Sequence, residues 1–507
     1  MSNNNYKRMA KNAGMLYFRM LLTMGVALYT SRVILQTLGV EDFGIYNVVA
    51  GFVTMLGFLH GAMSSATQRF LAFELGQSGE KDVRGIFSMS MNIHILIAFV
   101  VLLIGETVGL WFLRTQMTIP VDRMFAAEWV FHLSLLSFMI TIISVPYNAL
   151  IIAHEQMGIF AAVSILDVTL KLLIVFMLSW FGIDKLILYG LLSLAVVFII
   201  FMVYRSYCKI KFVESKFRFY WNRRLFNTML SYTGWNLWGN IAAVMSAQGI
   251  NVLLNIFFGP IVNAARAIAM QVSGALSSFV QNLQVAINPQ IIKSYAAKDM
   301  SYMHSLVCYG AKYNFFVLLL LSMPVLINTD IILQVWLGKV PEYTSMFVQL
   351  IIINILVDCI SAPLMTSAQA TGKIRLYQTL VGGLLLLNLP FSYVILKMGY
   401  EPYAVIYVSI TLSLFALIAR LYILKTLVSL PVVRYLKEVI GRGLLISTTV
   451  GILYYYTYNL LLEDPGFLLK SIVISIYTLG AIAIFGFGKV ERTVILSKVR
   501  VLKDQSR

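Results

Sequence analysis

The chain has 507 residues, 59% of them hydrophobic and only 12% charged, about half the charged share of a soluble globular protein. That make-up excludes a soluble enzyme or binding domain. A formal net charge of +17 leaves nucleic acid or a membrane as its partner, a choice decided by where the basic residues fall.

The polar, basic start "MSNNNYKRMAKNAG" leads directly into a full-length apolar span, without the short apolar core and small-residue cleavage site of a signal peptide. The first span is therefore expected to act as the targeting signal. Runs of bilayer-crossing length follow near 15–37, 43–67, 84–110, 124–152, 158–181, 184–205, 226–257, 261–286, 303–327, 343–368, 374–397, 401–425, 440–462 and 467–488. The expected fold is an all-α integral membrane protein of about fourteen transmembrane helices.

In the first helix, Arg19, Thr23 and Thr30 share one stripe, whereas Arg32 points about 220° away and lies near the outer end. Arg19 sits about 6 Å inside Met15, where snorkelling to the headgroups and cavity lining both remain open. Arg32 reads as an anchor against the loop of Glu41 and Asp42. Glu128 and His132 share a face of the fourth helix, and two residues alone do not make a proton relay. In the fifth helix Asp167 and Lys171 are four residues apart and can pair, as a structural pair or in gating or coupling. The linker "RSYCKIKFVESKFRFYWNRR" mixes cations and aromatics, which between two spans reads as an interfacial anchor.

The eighth helix, "NAARAIAMQVSGALSSFVQNLQ", is too polar to face lipid. Its alanines, glycine and serines suit close helix packing, but packing does not need Arg266, and Arg266 with Asn263, Gln271 and Ser273 points to a hydrated cavity. Lys312 in the ninth helix and Asp358 in the tenth are lone charges, candidates for gating or coupling. Cys208, Cys308 and Cys359 lie in separate segments without ligand spacing, so neither a disulfide framework nor a metal site is expected.

With the N-terminus in the cytoplasm, Lys7, Arg8, Lys11, Arg69, Lys81, Arg84, Lys293, Lys298, Lys373, Arg375, the 205–224 and 420–442 linkers and the tail share one side. The other side receives only Arg114, Arg123, Lys185, Lys339, Lys397 and Lys470. This is the positive-inside pattern with both termini cytoplasmic, and it removes the nucleic-acid reading.

An offset of 220 residues pairs Gly14 with Gly234, Gly39 with Gly259 and Ala66 with Ala286. An offset of 217 pairs Ser144 with Ser361, Pro146 with Pro363, Ala153 with Ala370 and Gly182 with Gly399. Loop signals that coincide over long ungapped blocks indicate an internal duplication. Six helices per copy make the two lobes parallel, an architecture for alternating access. The expected organisation is an N-lobe over 1–208, a basic cytoplasmic linker over 209–224, a C-lobe over 225–428, and two further helices with a tail over 429–507. No phosphate-binding loop has its proper spacing, since "GFGKV" and "ATGKI" lack it, and no H-E-x-x-H occurs.

Four segments carry a family resemblance: "TSRVILQTLGVEDFGIYNVV", "GAMSSATQRFLAFELG", "NPQIIKSYAAKD" and "SAPLMTSAQATGK". Through them the chain resembles the polysaccharide and O-antigen flippases of the multidrug/oligosaccharidyl-lipid/polysaccharide exporter superfamily. The resemblance implies a transporter, not an enzyme, in the bacterial inner membrane. It would move a polyprenyl-pyrophosphate-linked oligosaccharide from the cytoplasmic to the outer leaflet for cell-envelope polysaccharide or lipopolysaccharide synthesis, alongside membrane lipids, a polymerase and other glycan-assembly proteins. Lipid II flippases share the fourteen-helix form. No cofactor is implied. Some relatives couple to sodium or protons, and no residue pattern here fixes the ion.

Arginine suits a pyrophosphate because its planar fork gives two charge-assisted hydrogen bonds, which makes Arg266 and Arg19 the candidate head-group ligands. A multidrug or cation-coupled exporter of the same superfamily would favour an acidic or aromatic pocket. A membrane enzyme of glycan assembly has no motif to stand on.

Overall fold

The structure, a computed structural model, describes residues 14–26, 29–30, 33–34, 37–38, 42, 45–46, 49, 53, 56–77, 81–117, 119–178, 184–337, 340–460, 466–488 and 491. Among these residues the regular elements are all helical. Arg32, Gly39 and Glu41 lie outside the described residues.

Among the described residues, ten helices are long and apolar enough to cross a membrane: α3 (Val83–Thr115), α4 (Val121–Ala153), α5 (Met157–Met177), α6 (Lys185–Lys211), α7 (Arg223–Phe258), α9 (Met300–Ile327), α10 (Thr344–Thr371), α11 (Arg375–Lys397), α12 (Ala404–Val428) and α14 (Phe467–Gly486). Each coincides with an expected span. The other four expected spans are also met by helices: α1 (Gly14–Val26), α2 (Gly57–Gly76), α8 (Pro260–Ala296) and α13 (Arg442–Leu460). α1 and α2 are described only in part. α8 is long enough but too polar, and α13 dilutes its aliphatic residues with Tyr454, Tyr455, Tyr456 and Tyr458. On α3 the exposed Leu96, Phe99, Leu103 and Ile104 recur at helical spacing, a stripe that water would not tolerate and lipid does.

Two compact units emerge: Met1–Val244 with Val285–Met303 and Gln369–Gly382, and Met245–Gln284 with His304–Ala368 and Gly383–Arg507. In the first, α4 is the central element. Its Ala149, Leu150, Ile151 and Ala153 are fully buried, in a core that also holds Leu71 of α2, Phe87 and Met89 of α3 and Cys208 of α6. Lipid removes the hydrophobic driving force, so this close packing holds helices together by dispersion. All three cysteines are buried thiols.

In the second unit, Phe316 and Leu319 of α9 pack with Ile446 and Val450 of α13 and Ile474 of α14. This core fixes the pair of helices that lies outside the duplication.

The duplicated prolines behave differently. α4 runs unbroken through Pro146, whereas α10 interrupts its helix at Ile360 and Ser361, just before Pro363. A broken helix frees backbone carbonyls that hydrocarbon cannot satisfy. Asn314 Nδ2 of α9 donates to the Cys359 carbonyl at 3.2 Å, and the Tyr435 hydroxyl donates to the Ile360 carbonyl at 2.6 Å.

Candidate functional site

In the first unit a cavity of about 640 Å³ lies among residues of α4, α5 and α6 and the segments 30–34 and 46–60. Its volume is that of a small-molecule site, roughly 300–1,000 Å³. Lys171, Thr30, His60, Ser134, Ser137 and Ser193 supply the polar wall. Tyr46 and Tyr189, edge to face with centroids 4.6 Å apart, supply an aromatic corner.

Sequence periodicity gives α4 its hydroxyls one turn apart, and they point back on their own helix. Ser137 donates to the Leu133 carbonyl at 2.8 Å and Thr141 to the Ser137 carbonyl at 2.9 Å, leaving the oxygens as acceptors. The Thr30 hydroxyl is buried with no hydrogen-bond partner among the described residues. No carboxylate lines this cavity among those residues. Asp167, beside the lining residue Val168, accepts from Lys171 Nζ at 2.8 Å across one turn of α5, the pairing that the spacing suggested.

Of the expected site residues, the structure therefore brings Thr30 and Lys171 to one wall. Arg19 does not line the cavity. It donates to Ser164 at 3.2 Å and lies over the Phe160 ring at 4.7 Å, lower on the same α5. Ser164, Asp167 and Lys171 then form one polar stripe about 10 Å long. Thr23 bonds back to the Met20 carbonyl at 3.0 Å.

The second unit holds the other expected ligands. α7 ends at Phe258, Gly259 takes φ +79°, and Pro260 opens α8, a helical hairpin in which only glycine turns without strain. Asn251 and Arg266 flank this turn nearly equally, about 10 Å beneath it. Arg266 is buried and its Nη1 donates to Asn251 Oδ1, while its Nε has no hydrogen-bond partner among the described residues. No carboxylate pairs with it among the described residues. Asn263 Oδ1, one turn away, is likewise buried and without a hydrogen-bond partner among the described residues. Ser273 is buried on the same helix, and Gln271 is exposed.

The 220-residue offset ties the two places together. Tyr46, Val53, Gly57 and His60 all line the cavity, and their counterparts are Arg266, Ser273, Ser277 and Val280. On a helix these spacings lie within about 40° of the first position, an arc of about 60°, so the Arg266 face of α8 repeats the cavity-lining face of the first lobe.

One charge reading is corrected by a neighbour distant in sequence, and two others gain partners. Lys312 is no lone charge: Glu491 accepts from its Nζ at 2.6 and 2.7 Å, and Tyr313 donates to the same carboxylate at 2.8 Å. Asp358 accepts from Asn354 Nδ2 at 3.1 Å, in a chain continued by Ser413. Glu128 and His132 serve different partners on α3, Arg114 at 2.6 Å and Glu106 at 2.9 Å. Sequence reasoning missed His60, Tyr189 and the α4 serines. Their only signal is a helical face, which apolar packing produces equally often.

No family model and no curated protein matches the chain. Solved structures do. A multidrug resistance MATE family transporter of the MOP superfamily, in an outward-facing conformation, matches with a TM-score of 0.68 at 12% identity, over 83% of this chain and 96% of that one. The MATE transporter ClbM in complex with Rb⁺ gives 0.70 at 13%, over 83% and 94%. The chain has the MATE transporter fold. A MOP superfamily transporter from Pyrococcus furiosus, described by a binding pocket of reversed polarity, has this fold too, at 0.69 and 12% over 83% and 96%. The matched proteins are transporters.

Proposed function

We propose that this MATE-fold protein is a flippase for a lipid-linked oligosaccharide, exporting a polysaccharide precursor by alternating access. The observation that carries the reading is Arg266, a buried guanidinium with no carboxylate partner among the described residues, on the face that repeats the cavity wall. A cation in hydrocarbon needs an anion or water to offset its burial, and a pyrophosphate supplies the anion with matching bidentate geometry. The hydroxyls around Lys171 suit a sugar, whose groups both donate and accept. The family resemblance of the four segments supports the same cargo.

A cationic-drug exporter would need a carboxylate on the cavity wall, where the described lining offers the cation of Lys171, and the Asp167 that pairs with it is not part of that lining. A lipid II flippase differs from the favoured reading only in the glycan. In a strain whose only copy is Arg266→Ala, surface glycan is expected to fall about 10- to 100-fold at matched protein level, the worth of a hydrogen bond to a charged group. Arg266→Lys should recover it in part, because a point charge keeps attraction and loses the fork. Normal surface glycan with Arg266→Ala would sink the assignment. Drug sensitivity that rises while glycan stays normal would favour the exporter.

A further inference from the structure

The four segments that carry the resemblance are largely unexplained by the cavity, because three of them end helices on the side expected to be cytoplasmic. In the first unit these ends interlock. Arg69, near the end of α2, is buried. Its Nε donates to the Gln369 carbonyl at 3.2 Å and its Nη2 to the Ala370 carbonyl at 3.0 Å, capping the last turn of α10. Terminal helix carbonyls lack partners of their own and carry the negative end of the dipole, so a guanidinium satisfies both needs. The Tyr232 hydroxyl also donates to Gln369, at 3.3 Å, and the Phe73 ring covers the guanidinium at 4.5 Å.

The second grip is built the other way round. Glu155, just past the end of α4, accepts from Gln290 Nε2 at 2.5 Å and from Lys293 Nζ at 2.6 Å, both on the last turns of α8, and its side chain is only 3% exposed.

These grips are related by the duplication. The 217-residue offset that pairs Ala153 with Ala370 carries Glu155 onto Gly372. Both take the left-handed conformation, φ 61° and 75°. The 220-residue offset carries α2 onto α8. Thus the loop after α10 is held by α2, and its counterpart after α4 is held by α8, with the cation each time on the helix that the 220-residue offset relates, Arg69 on α2 and Lys293 on α8. Clearance is minimal at both. A Cβ on Gly372 would lie 2.7 Å from Arg69 Nη2, and one on Gly76 would lie 2.6 Å from Lys293 Cα.

We infer that Arg69–Gln369/Ala370 and Glu155–Gln290/Lys293 form a paired latch that closes the cytoplasmic end of the transport path and must part for cargo to enter. The inference rests on the alternating-access reading and not on which cargo is carried. Its reversibility follows from chemistry. A buried ion pair roughly breaks even against hydration, so separating these groups into water replaces one set of interactions with another instead of forfeiting them.

Ser294, beside Lys293 and buried, reports on the latch. Ser294→Cys is alkylated by a membrane-impermeant maleimide in inverted membrane vesicles, with the parent chain and its three buried cysteines as the blank. With the latch intact, labelling should be slow. Adding Gly76→Ala, a wedge that removes no charge, or Glu155→Gln should speed it at least tenfold. The exchanged pair Glu155→Lys with Lys293→Glu should return it to the slow rate. Cys208, buried in the core of the same unit, separates opening from unfolding, since only an unfolded chain exposes it. Unchanged rates in both single variants, or labelling that spreads to Cys208 and is not reversed by the exchanged pair, would overturn the latch. Because no cargo is present, this result stands apart from the glycan assay. A working latch with normal export in Arg266→Ala would refute the cargo assignment alone.

Discussion

Arg123 shows what a residue-level reading of sequence leaves out. It was one more basic residue on the sparse outer side, and the structure gives it two carboxylates. Nη2 and Nε meet Asp42 at 2.6 and 2.8 Å, and Nη1 meets Asp184 at 2.6 Å. Asp184 also caps α6, accepting from the Leu186 and Ile187 amides at 3.0 and 3.2 Å. Burial pushes the Asp184 carboxyl upward, but Arg123 and the two amides outweigh it and hold the pKa below the ordinary value. A depressed carboxylate contributes stability that is present above its unfolded pKa and lost as pH falls through the folded one. Arg123→Gln should therefore cost about 1 kcal/mol near neutral pH, the range for a partly exposed pair, and the loss should shrink as pH falls below about 4. Thermal unfolding in detergent at pH 7 and in a series down to about pH 2 checks this, and a deficit that grows in acid would contradict it. Such partners come from helices far apart in sequence, as Glu491 does for Lys312. Spacing reaches only along one helix, which is why Asp167 and Lys171 were legible and these were not.

At the scale of elements, the apolar runs located the long helices among the described residues, because a bilayer imposes length and composition together. Local irregularity was less visible. Pro146 and Pro363 occupy equivalent positions, yet only α10 breaks, since Asn314 and Tyr435 stand ready to accept the freed carbonyls' demand for donors. Nothing near "CISAP" announces those donors. Tyr435 is fully buried, so Tyr435→Phe leaves the Ile360 carbonyl without this donor at almost unchanged volume. An orphaned buried acceptor costs about 1–3 kcal/mol. The variant should unfold at lower temperature in detergent. If its midpoint equals the parent's, the carbonyl has another donor and the break does not depend on Tyr435. The polarity of α8, by contrast, was fully legible, and it keeps this helix below the apolarity of the other long helices.

For the whole molecule, the duplication was readable because loop residues persist where backbone demands them. Gly259 and Gly399 turn at φ +79° and +85°, and Gly372 at +75°. The compact units follow different boundaries from the repeats, because Val285–Met303 and Gln369–Gly382 pack with the first lobe's helix ends. Packing of that kind is a tertiary fact with no sequence period. Orientation is the remaining property of the molecule as a whole, and it rests on charge. Cysteines at the exposed Ile210 and Lys298 lie on the basic side, and cysteines at the exposed Val121 and Tyr400 lie on the opposite side. Translocating a cluster of lysines and arginines is disfavoured during insertion, whereas loops with one or two are not held back. An impermeant thiol reagent should therefore label the Ile210 and Lys298 positions only in inverted vesicles, and the Val121 and Tyr400 positions only in intact cells. Labelling of Ile210→Cys from outside would reverse the orientation. It would also turn the latch into an outer gate, and a protein that then loaded cargo from the outer leaflet could not be exporting a precursor made in the cytoplasm.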